Sequence, residues 1–362
     1  MANSFDYLMW RGDIPFFASP FNEVDAMLLS RLAYAPFELV GREKAITVGK
    51  VCKALLEIEN IEDRLLMRDD KKLLELMSES ERFKNLVLFE YVNRIEETSE
   101  TQFSAVAVQL ARREFFVAFR GTDETLIGWK EDFNMSFQTP VPAQTLAVEY
   151  FERIARKIRG RFILGGHSKG GNLAVYASAF CNTALQGRID KVLNFDGPGF
   201  NEKVLKTVGY QNVKNRISTF VPQSSVVGLL LGHEEEYTIV QSTNTGLLQH
   251  DTYSWEVRRD RFVYLETVTD ASRFLDHTLK EWIAEMSAEK REKLVDTIYM
   301  ILTETNAKTV KELGENWILS TASALRTIRN LDDETRKVLI EALRALAKGA
   351  KKVFVENLQN KA

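Results

Sequence analysis

The sequence has few of the residue types that bind metals or form covalent cross-links. Its 362 residues include only two cysteines and four histidines. The two cysteines, Cys52 and Cys181, cannot form a disulfide framework, and neither has the spacing of a metal site. We therefore predict a cytoplasmic protein of a reducing compartment, with no bound metal and no cofactor.

The sequence also lacks a large net charge and a long apolar run. Lys and Arg number 48 against 51 Asp and Glu, a formal net charge of −3, so there is no basic excess to neutralise nucleic-acid phosphates. The longest apolar candidate, residues 226–231, is far shorter than the roughly 20 residues that span a bilayer. The first residues, 1–6, do not resemble a signal peptide. These absences indicate a soluble globular protein that binds no nucleic acid.

Hydrophobic periodicity predicts strands that alternate with helices through the middle of the chain. The predicted strands are residues 103–108, 114–119, 162–164, 192–195, 216–221, 237–240 and 247–255. The predicted helices are residues 23–33, a helix from 126, 145–158 and a helix after residue 168. This alternation predicts an α/β fold, a mainly parallel sheet with helices on both faces.

Two regions outside this alternation are rich in charged, helix-forming residues. Residues 41–98 are predicted to form a helical cap or insertion within a domain that spans residues 1–268. Residues 269–362 are predicted to form a C-terminal helical extension.

The most informative motif is Gly166-His167-Ser168-Lys169-Gly170. An apolar run precedes it and a run of small residues follows, which is the strand–turn–helix context of a nucleophile elbow. Side chains at Gly166 and Gly170 would collide with the neighbouring strand and helix. The motif predicts that Ser168 is a nucleophile; the alternative is an ordinary turn serine.

A serine hydroxyl needs a base, and only four histidines can supply one. In α/β-hydrolases the chain order is Ser, acid, His, and His250 fits that order. His167 adjoins the nucleophile and is expected to pack or to shape the site, whereas His233 and His277 lie in charged settings. We predict that His250 is the base, with a structural role as the alternative.

Asp196 is the predicted acid. It follows the strand 192–195 and begins the turn Asp196-Gly197-Pro198-Gly199-Phe200, at the sheet edge where ligands of α/β proteins bind. The alternative is an Asx-type turn in which Asp196 bonds only its own backbone. Asp251 is a rival, but neighbouring residues of a strand point to opposite faces, which disfavours a pair with His250.

An oxyanion hole needs two N–H donors. One is predicted to be the backbone N–H of Lys169, and the other to come from Arg120-Gly121-Thr122 at the end of a predicted strand. The alternative for the second segment is an ordinary strand-ending turn.

These motifs resemble those of a known family. Phe119-Arg120-Gly121-Thr122, Trp129, Asp132 and the Ser168 elbow resemble the class 3 lipase type of α/β-hydrolase. The fuller pattern resembles a bacterial domain-of-unknown-function family of lipase-like proteins over roughly residues 5–265. The segments that carry it are Trp10-Arg11-Gly12-Asp13, Pro20-Phe21-Asn22-Glu23-Val24-Asp25, Phe195-Asp196-Gly197-Pro198-Gly199 and Gln249-His250-Asp251. The resemblance implies an α/β-hydrolase fold and a Ser–Asp–His hydrolase in which Thr122 and Lys169 supply the oxyanion hole.

The chain departs from class 3 lipases at one position. Those lipases carry the acid in an Asp-x-Val-Pro segment after the next strand, whereas residues 221–228 here have serine where that Asp would fall. Either the acid has moved to Asp196 or the triad is incomplete. Because the pancreatic lipase family carries its acid after the earlier strand, we favour relocation to Asp196.

The sequence thus predicts a serine hydrolase that cleaves carboxylic esters, lipids among them. A thioesterase or an acyltransferase would use the same residues. Residues 226–231 are expected to line an acyl pocket or form part of a lid, or else to be buried core. An alternative is a non-catalytic α/β-hydrolase scaffold that binds a partner. Another is a lipase whose C-terminal helices contact a membrane surface, which the mixed Lys and Glu content supports only weakly.

Overall fold

A computed structural model describes residues 2–41, 45–123, 125–135, 137–225, 227–228, 231–268, 287–303, 336–337 and 340. The chain divides into two compact units. The first unit comprises Met1–Arg94, Phe103–Gly121 and Ala143–Val268, and the second comprises Ile95–Gln102, Thr122–Pro142 and Thr269–Ala362. The predicted division of the chain into residues 1–268 and 269–362 stays a prediction.

The described residues contain one large sheet and one small one. In chain order the strands are β1 (Ala45–Thr47), β2 (Val87–Glu96), β3 (Thr101–Ala111), β4 (Glu114–Phe119), β5 (Arg161–His167), β6 (Ile189–Phe195), β7 (Ile217–Pro222), β8 (Tyr237–Val240), β9 (Val257–Arg258), β10 (Arg261–Phe262) and β11 (Tyr264–Leu265). The large sheet has the order β1-β2-β3-β4-β5-β6-β7-β8-β11, and β9 pairs with β10. Strands β4 to β8 are parallel, whereas β3 and β11 run antiparallel to their neighbours β4 and β8.

Helices cover both faces of this sheet. The helices of the described residues are α1 (Ser4–Arg11), α2 (Glu23–Leu32), α3 (Val48–Leu56), α4 (Asp69–Glu79), α5 (Leu126–Asn134), α6 (Pro142–Lys157), α7 (Lys169–Phe180), α8 (Thr183–Gln186), α9 (Glu202–Leu205), α10 (Val208–Val213) and α11 (Ala288–Thr303). Along β4, Phe116 and Ala118 join the core that includes α2, whereas Phe115, Val117 and Phe119 join the core that includes α6 and α7. Successive residues of a strand point to opposite faces, so one strand serves two cores. The predicted α/β-hydrolase-type fold class is confirmed.

Most strand predictions hold, and two predictions need correction. The predicted strands from residue 103 to residue 240 each overlap a strand of the structure. Residues 41–98 are only partly helical, because they contain β1 and β2 besides α3 and α4. The strand predicted at 247–255 is wrong: the chain there forms two 3-10 turns, Gly246–His250 and Thr252–Ser254.

Side chains bond the backbone in these two turns. Asp251 accepts a hydrogen bond from the N–H of Tyr253 at 2.9 Å, and the indole N–H of Trp255 donates to the carbonyl of Gln249 at 2.8 Å. Such local hydrogen bonds compete with the backbone hydrogen bonds of a β-strand, and the hydrophobic periodicity of the sequence does not reveal them. Asp251 therefore does not lie on a strand, and strand alternation does not disfavour its pairing with His250.

The amino-terminal helices support the segment that carries His250. The ring of Phe5 stacks on that of Tyr253 with centroids 4.8 Å apart, and the hydroxyl of Tyr253 donates to Asp70 at 2.6 Å. The N–H of Val257 donates to the carbonyl of Ala2 at 2.9 Å. Residues distant in sequence thus hold the segment around residue 253 in place.

A buried ion pair anchors α2. Asn22 caps the helix and Asp25 bonds back to the N–H of Asn22, a capping box. Arg82 donates to both carboxylate oxygens of Asp25, at 2.7 and 2.5 Å, and neither side chain is exposed. Asn22 and Asp25 lie in a segment that carries the family resemblance, and here they stabilise the fold.

In the second unit, α11 packs on α5. Lys130 of α5 lies 2.8 Å from Asp296 of α11 and 2.6 Å from Glu100. The helix α11 falls within the predicted C-terminal extension; the rest of that extension, including His277, lies outside the described residues apart from a few positions. In the part of the chain that the structure describes, no helix is both long and apolar enough to cross a bilayer.

Candidate active site

Ser168 lies in a strained turn between β5 and α7. Its backbone has φ 57° and ψ −133°, a conformation that non-glycine residues adopt only when the surroundings impose it. Two hydrogen bonds of 2.9 Å impose it here: the N–H of Ser168 donates to the carbonyl of Phe195, and its carbonyl accepts from the N–H of Gly171. The turn presents Ser168 at the carboxyl end of β5.

The flanking glycines permit this turn. A Cβ atom at Gly166 would lie 2.3 Å from the backbone carbon of Gly170, and one at Gly170 would lie 2.1 Å from the carbonyl oxygen of Phe119. Both distances are far shorter than any real Cβ contact. Only glycine therefore fits at either position.

Asp196 follows β6, the neighbour of β5, and its side chain is buried. One carboxylate oxygen, Oδ2, lies 2.6 Å from Nδ1 of His250. Because a carboxylate only accepts, Nδ1 of His250 carries the proton and Nε2 is the nitrogen able to accept one. The structure thus brings together the predicted acid and the predicted base.

The other carboxylate oxygen of Asp196 is bonded by the segment that follows β7. Ser225 donates its hydroxyl to Oδ1 at 2.5 Å, and the N–H of Gly228 donates to the same oxygen at 3.1 Å. Ser225 lies in the segment where class 3 lipases carry their acid. Here it donates to the carboxylate of Asp196, the predicted acid, a contact that the sequence prediction missed.

Two buried asparagines fix the turn after Asp196. Asn194 Oδ1 accepts from the N–H of Gly197 at 3.0 Å. Asn172 of α7 donates to the carbonyls of Pro198 and Gly199, each at 3.0 Å. The sequence prediction missed both, although an Asn near the end of the apolar strand 192–195 was a signal of such a contact.

His250 ends the first 3-10 turn, and its ring is partly exposed. The preceding residue anchors the turn: Gln249 Oε1 accepts from the N–H of Ser224 at 2.7 Å, and Gln249 Nε2 donates to the carbonyl of Asn244 at 2.7 Å. Among the described residues, no hydrogen bond joins Ser168 Oγ to His250. Catalytic hydrogen bonds of unliganded enzymes often form only with substrate.

His167 is buried beside this pair. Its Nε2 lies 2.9 Å from the carbonyl oxygen of His250 and its Nδ1 lies 3.3 Å from the hydroxyl of Tyr34. Burial, with the nearby charges of His250 and Arg31, holds the pKa of His167 well below its ordinary value. Both ring nitrogens of His167 thus contact groups other than Ser168.

A second histidine, His233, is linked to Asp196 through Gly228. His233 Nε2 lies 2.7 Å from the carbonyl of Gly228, whose N–H donates to Asp196, and Nδ1 lies 2.9 Å from Glu235. Both ring nitrogens of His233 thus face oxygen atoms that can accept a hydrogen bond. Burial alone would raise the pKa of Glu235, but the hydrogen bond and charge of His233, with bonds from Tyr210 and Thr219, hold it at about 2.

The predicted oxyanion-hole residues lie in different units. Lys169 begins α7 in the first unit, and the N-terminus of a helix favours negative charge. In the same unit, a Cβ atom at Gly121 would lie 3.2 Å from Cβ of Ser168, so the chain after β4 approaches Ser168. Thr122 belongs to the second unit, where its hydroxyl bonds Asp132, and its role stays a prediction.

The predicted acyl-pocket or lid segment is described only in part. Residues 226, 229 and 230 lie outside the described residues. The role of this segment stays a prediction.

Comparison with known proteins places the chain in a family. The Mbeg1-like family model matches residues 77–300. The chain is similar in structure to M37 lipase, with 15% identity, a TM-score of 0.33 and coverage of 56% of this chain and 68% of that one. It is also similar to the native Rhizomucor miehei lipase propeptide complex, with 12% identity, a TM-score of 0.35 and coverage of 60% and 67%. No curated protein sequence matches the chain.

Proposed function

The chain belongs to the Mbeg1-like family, a lipase-like family, and we propose that it is a serine hydrolase that cleaves carboxylic esters. Ser168 is the nucleophile, His250 the general base and acid, and Asp196 the residue that orients His250. The observation that carries the proposal is the 2.6 Å bond between His250 Nδ1 and Asp196. Asp196 follows β6, and Ser168 follows the neighbouring strand β5 in a strained turn of the nucleophile-elbow type. The bond therefore brings a histidine to the sheet edge where Ser168 lies.

In the first half-reaction, Ser168 Oγ attacks the ester carbonyl carbon while Nε2 of His250 takes the hydroxyl proton. Asp196 stabilises the imidazolium that forms and keeps the proton of Nδ1 in place. The carbonyl oxygen becomes an oxyanion. His250 then gives its Nε2 proton to the leaving alkoxide, and the alcohol departs as the acyl-serine forms.

In the second half-reaction, water takes the place of the alcohol. His250 Nε2 removes a proton from the water, and the hydroxyl adds to the acyl carbon. As the intermediate collapses, His250 returns that proton to Ser168 Oγ and the carboxylic acid is released. In both half-reactions the backbone N–H of Lys169, at the start of α7, would donate a hydrogen bond to the oxyanion, and Thr122 is the predicted second donor.

The test is hydrolysis of p-nitrophenyl esters of graded acyl length by the full chain. Ser168→Ala should abolish turnover, whereas Ser99→Ala, at an exposed serine outside the site, should leave it unchanged. A matched series of thioesters separates a thioesterase from an ester hydrolase. The acyl length that gives the highest kcat/KM shows whether lipids belong to the substrate class.

A fluorophosphonate probe tests the nucleophile independently of the substrate. The wild-type chain and Ser99→Ala should be labelled, and Ser168→Ala should not. A folded wild-type chain that neither takes the label nor turns over any ester would contradict the proposal and favour the non-catalytic binding scaffold.

A further inference from the structure

The ring of His167 connects the end of β5 to the main chain of His250. His167 is paired with Phe195 of β6, so the parallel sheet fixes its backbone. Its side chain is buried, and its ring centroid lies 4.5 Å from that of His250. The contact at 2.9 Å runs from the Nε2 of His167 to the carbonyl oxygen of His250. A rigid strand end thus contacts the backbone of the base.

The two contacts of the His167 ring place its proton on Nε2 in the neutral form. The carbonyl of His250 can only accept, so Nε2 of His167 carries the proton. In the neutral ring Nδ1 is then an acceptor, and the Tyr34 hydroxyl at 3.3 Å donates to it. Burial keeps the pKa of His167 well below its ordinary value, which agrees with this neutral form.

The packing around Tyr34 supports this arrangement. The guanidinium carbon of Arg31 lies 4.4 Å from the centroid of the Tyr34 ring, and Arg31 also bonds Asp70 at 2.7 Å. Both charged side chains are buried. The Tyr34 ring therefore rests on a fixed ion pair, and its hydroxyl faces His167.

The main chain of His250 needs such support because no strand ladder holds it. It ends a 3-10 turn whose nearest anchors act on Gln249, through the indole of Trp255 and the N–H of Ser224. Asp196 holds the ring of His250 at one nitrogen. A ring bonded only at Nδ1 moves when its backbone moves, and small displacements of a catalytic group lower the reaction rate.

We propose that His167 is a positioning residue for the base: its Nε2–H holds the carbonyl of His250, so that the ring bonded to Asp196 keeps one orientation toward Ser168. This inference rests on the proposed function, because it concerns the same triad. His167 contacts neither the substrate nor the reacting atoms in this role.

The test compares His167→Phe, which keeps a flat buried ring without a donor, with His167→Gln, whose amide can donate from a similar position. His167→Phe should lower kcat for a p-nitrophenyl ester by about ten-fold or more and leave KM unchanged. His167→Gln should recover most of the loss. A structural role alone would not give rescue by the variant that restores a donor.

A second measurement does not depend on turnover. Proton NMR of the full chain detects the downfield signal of the proton shared by His250 Nδ1 and Asp196. This signal should broaden or disappear in His167→Phe and return in His167→Gln. If the wild-type chain hydrolyses no ester, the proposed function fails, and the NMR comparison still decides the positioning role.

Two outcomes would overturn the inference. One is a folded His167→Phe with the wild-type kcat and an unchanged downfield signal; the other is a loss that His167→Gln does not reduce. If His167→Phe does not fold, Tyr34→Phe decides instead, because it leaves His167 in place and removes the hydroxyl that contacts its Nδ1. It should lower kcat by about three-fold, the effect of one weak hydrogen bond, and an unchanged kcat with an unchanged signal contradicts the role.

Discussion

Ser225 donates its hydroxyl to Oδ1 of Asp196 across 2.5 Å, from the segment where class 3 lipases place the acid itself. The carboxylate of Asp196 lies after β6, and the hydroxyl that donates to it lies after β7. The serine that departs from the class 3 pattern is bonded to the carboxylate that we assign as the acid.

Removal of this donor should weaken the triad without destroying it. Ser225→Ala takes one of the two donors from Oδ1 of Asp196, so the carboxylate is less firmly oriented toward His250. We expect kcat for p-nitrophenyl esters to fall by about ten-fold, the effect of one hydrogen bond to a charged group. Ser225→Thr keeps a hydroxyl and is the matched control. Equal losses in both variants would argue against a role of the hydroxyl.

Loss of the charge of Asp196 should be far more severe. Asp196→Asn keeps the shape of the side chain but favours the wrong tautomer of His250, which costs about ten-thousand-fold in serine hydrolases built on this triad. The measurement is kcat/KM for p-nitrophenyl esters, compared between Asp196→Asn and Asp251→Asn, the variant of the rival carboxylate. If ester turnover survives Asp196→Asn and falls in Asp251→Asn, the acid is Asp251.

Glu235 should make stability depend on acid pH. Its pKa in the folded chain, about 2, lies below its ordinary value of 4.5, so its charge stabilises the fold above about pH 4.5 and this stabilisation is lost as the pH falls through about 2. Glu235→Gln should lower the urea midpoint at pH 6, and its difference from the wild type should narrow as the pH falls below 4.5. Exposed Glu236 supplies the control, Glu236→Gln. A difference that stays constant with pH would contradict this assignment.

The Asp25–Arg82 pair should dominate the stability of the amino-terminal helices. Arg82→Met leaves the buried carboxylate of Asp25 without its charge partner, and breaking a buried pair from one side costs about 3–5 kcal/mol. The free energy of unfolding by urea measures the loss. The double variant Asp25→Leu with Arg82→Met removes both charges and should be more stable than Arg82→Met alone. A single variant as stable as the wild type would refute this estimate.

Local pattern in the sequence was enough for the elements that build the sheet. The elbow at Ser168, the turn at Asp196 and the strands from β3 to β8 each have a signal within a short window of residues, either periodicity or a glycine that a tight turn requires. The 3-10 turns around His250 have no such signal, because bonds from Asp251 and Trp255 produce them.

The supports of the site were beyond prediction for a different reason. Ser225 reaches Asp196 and His167 reaches His250 only after the sheet has formed, since the partners are far apart in the chain. A single sequence shows which side chains are polar, but the strand order that joins them is a property of the whole fold. Asn172 was hidden in the same way, near the start of a helix made mostly of small and apolar residues.

The family match begins at residue 77, yet α1, α2 and most of α4 precede it. Side chains of these three helices contact Tyr253, in the 3-10 turn that follows His250. A polypeptide trimmed to the matched residues would lose Phe5, Tyr34 and Asp70 together and leave a large apolar face of the sheet bare. Expression of the matched region alone should therefore yield insoluble material. The core of the sheet therefore includes residues of α1 and α2 that the family match leaves out.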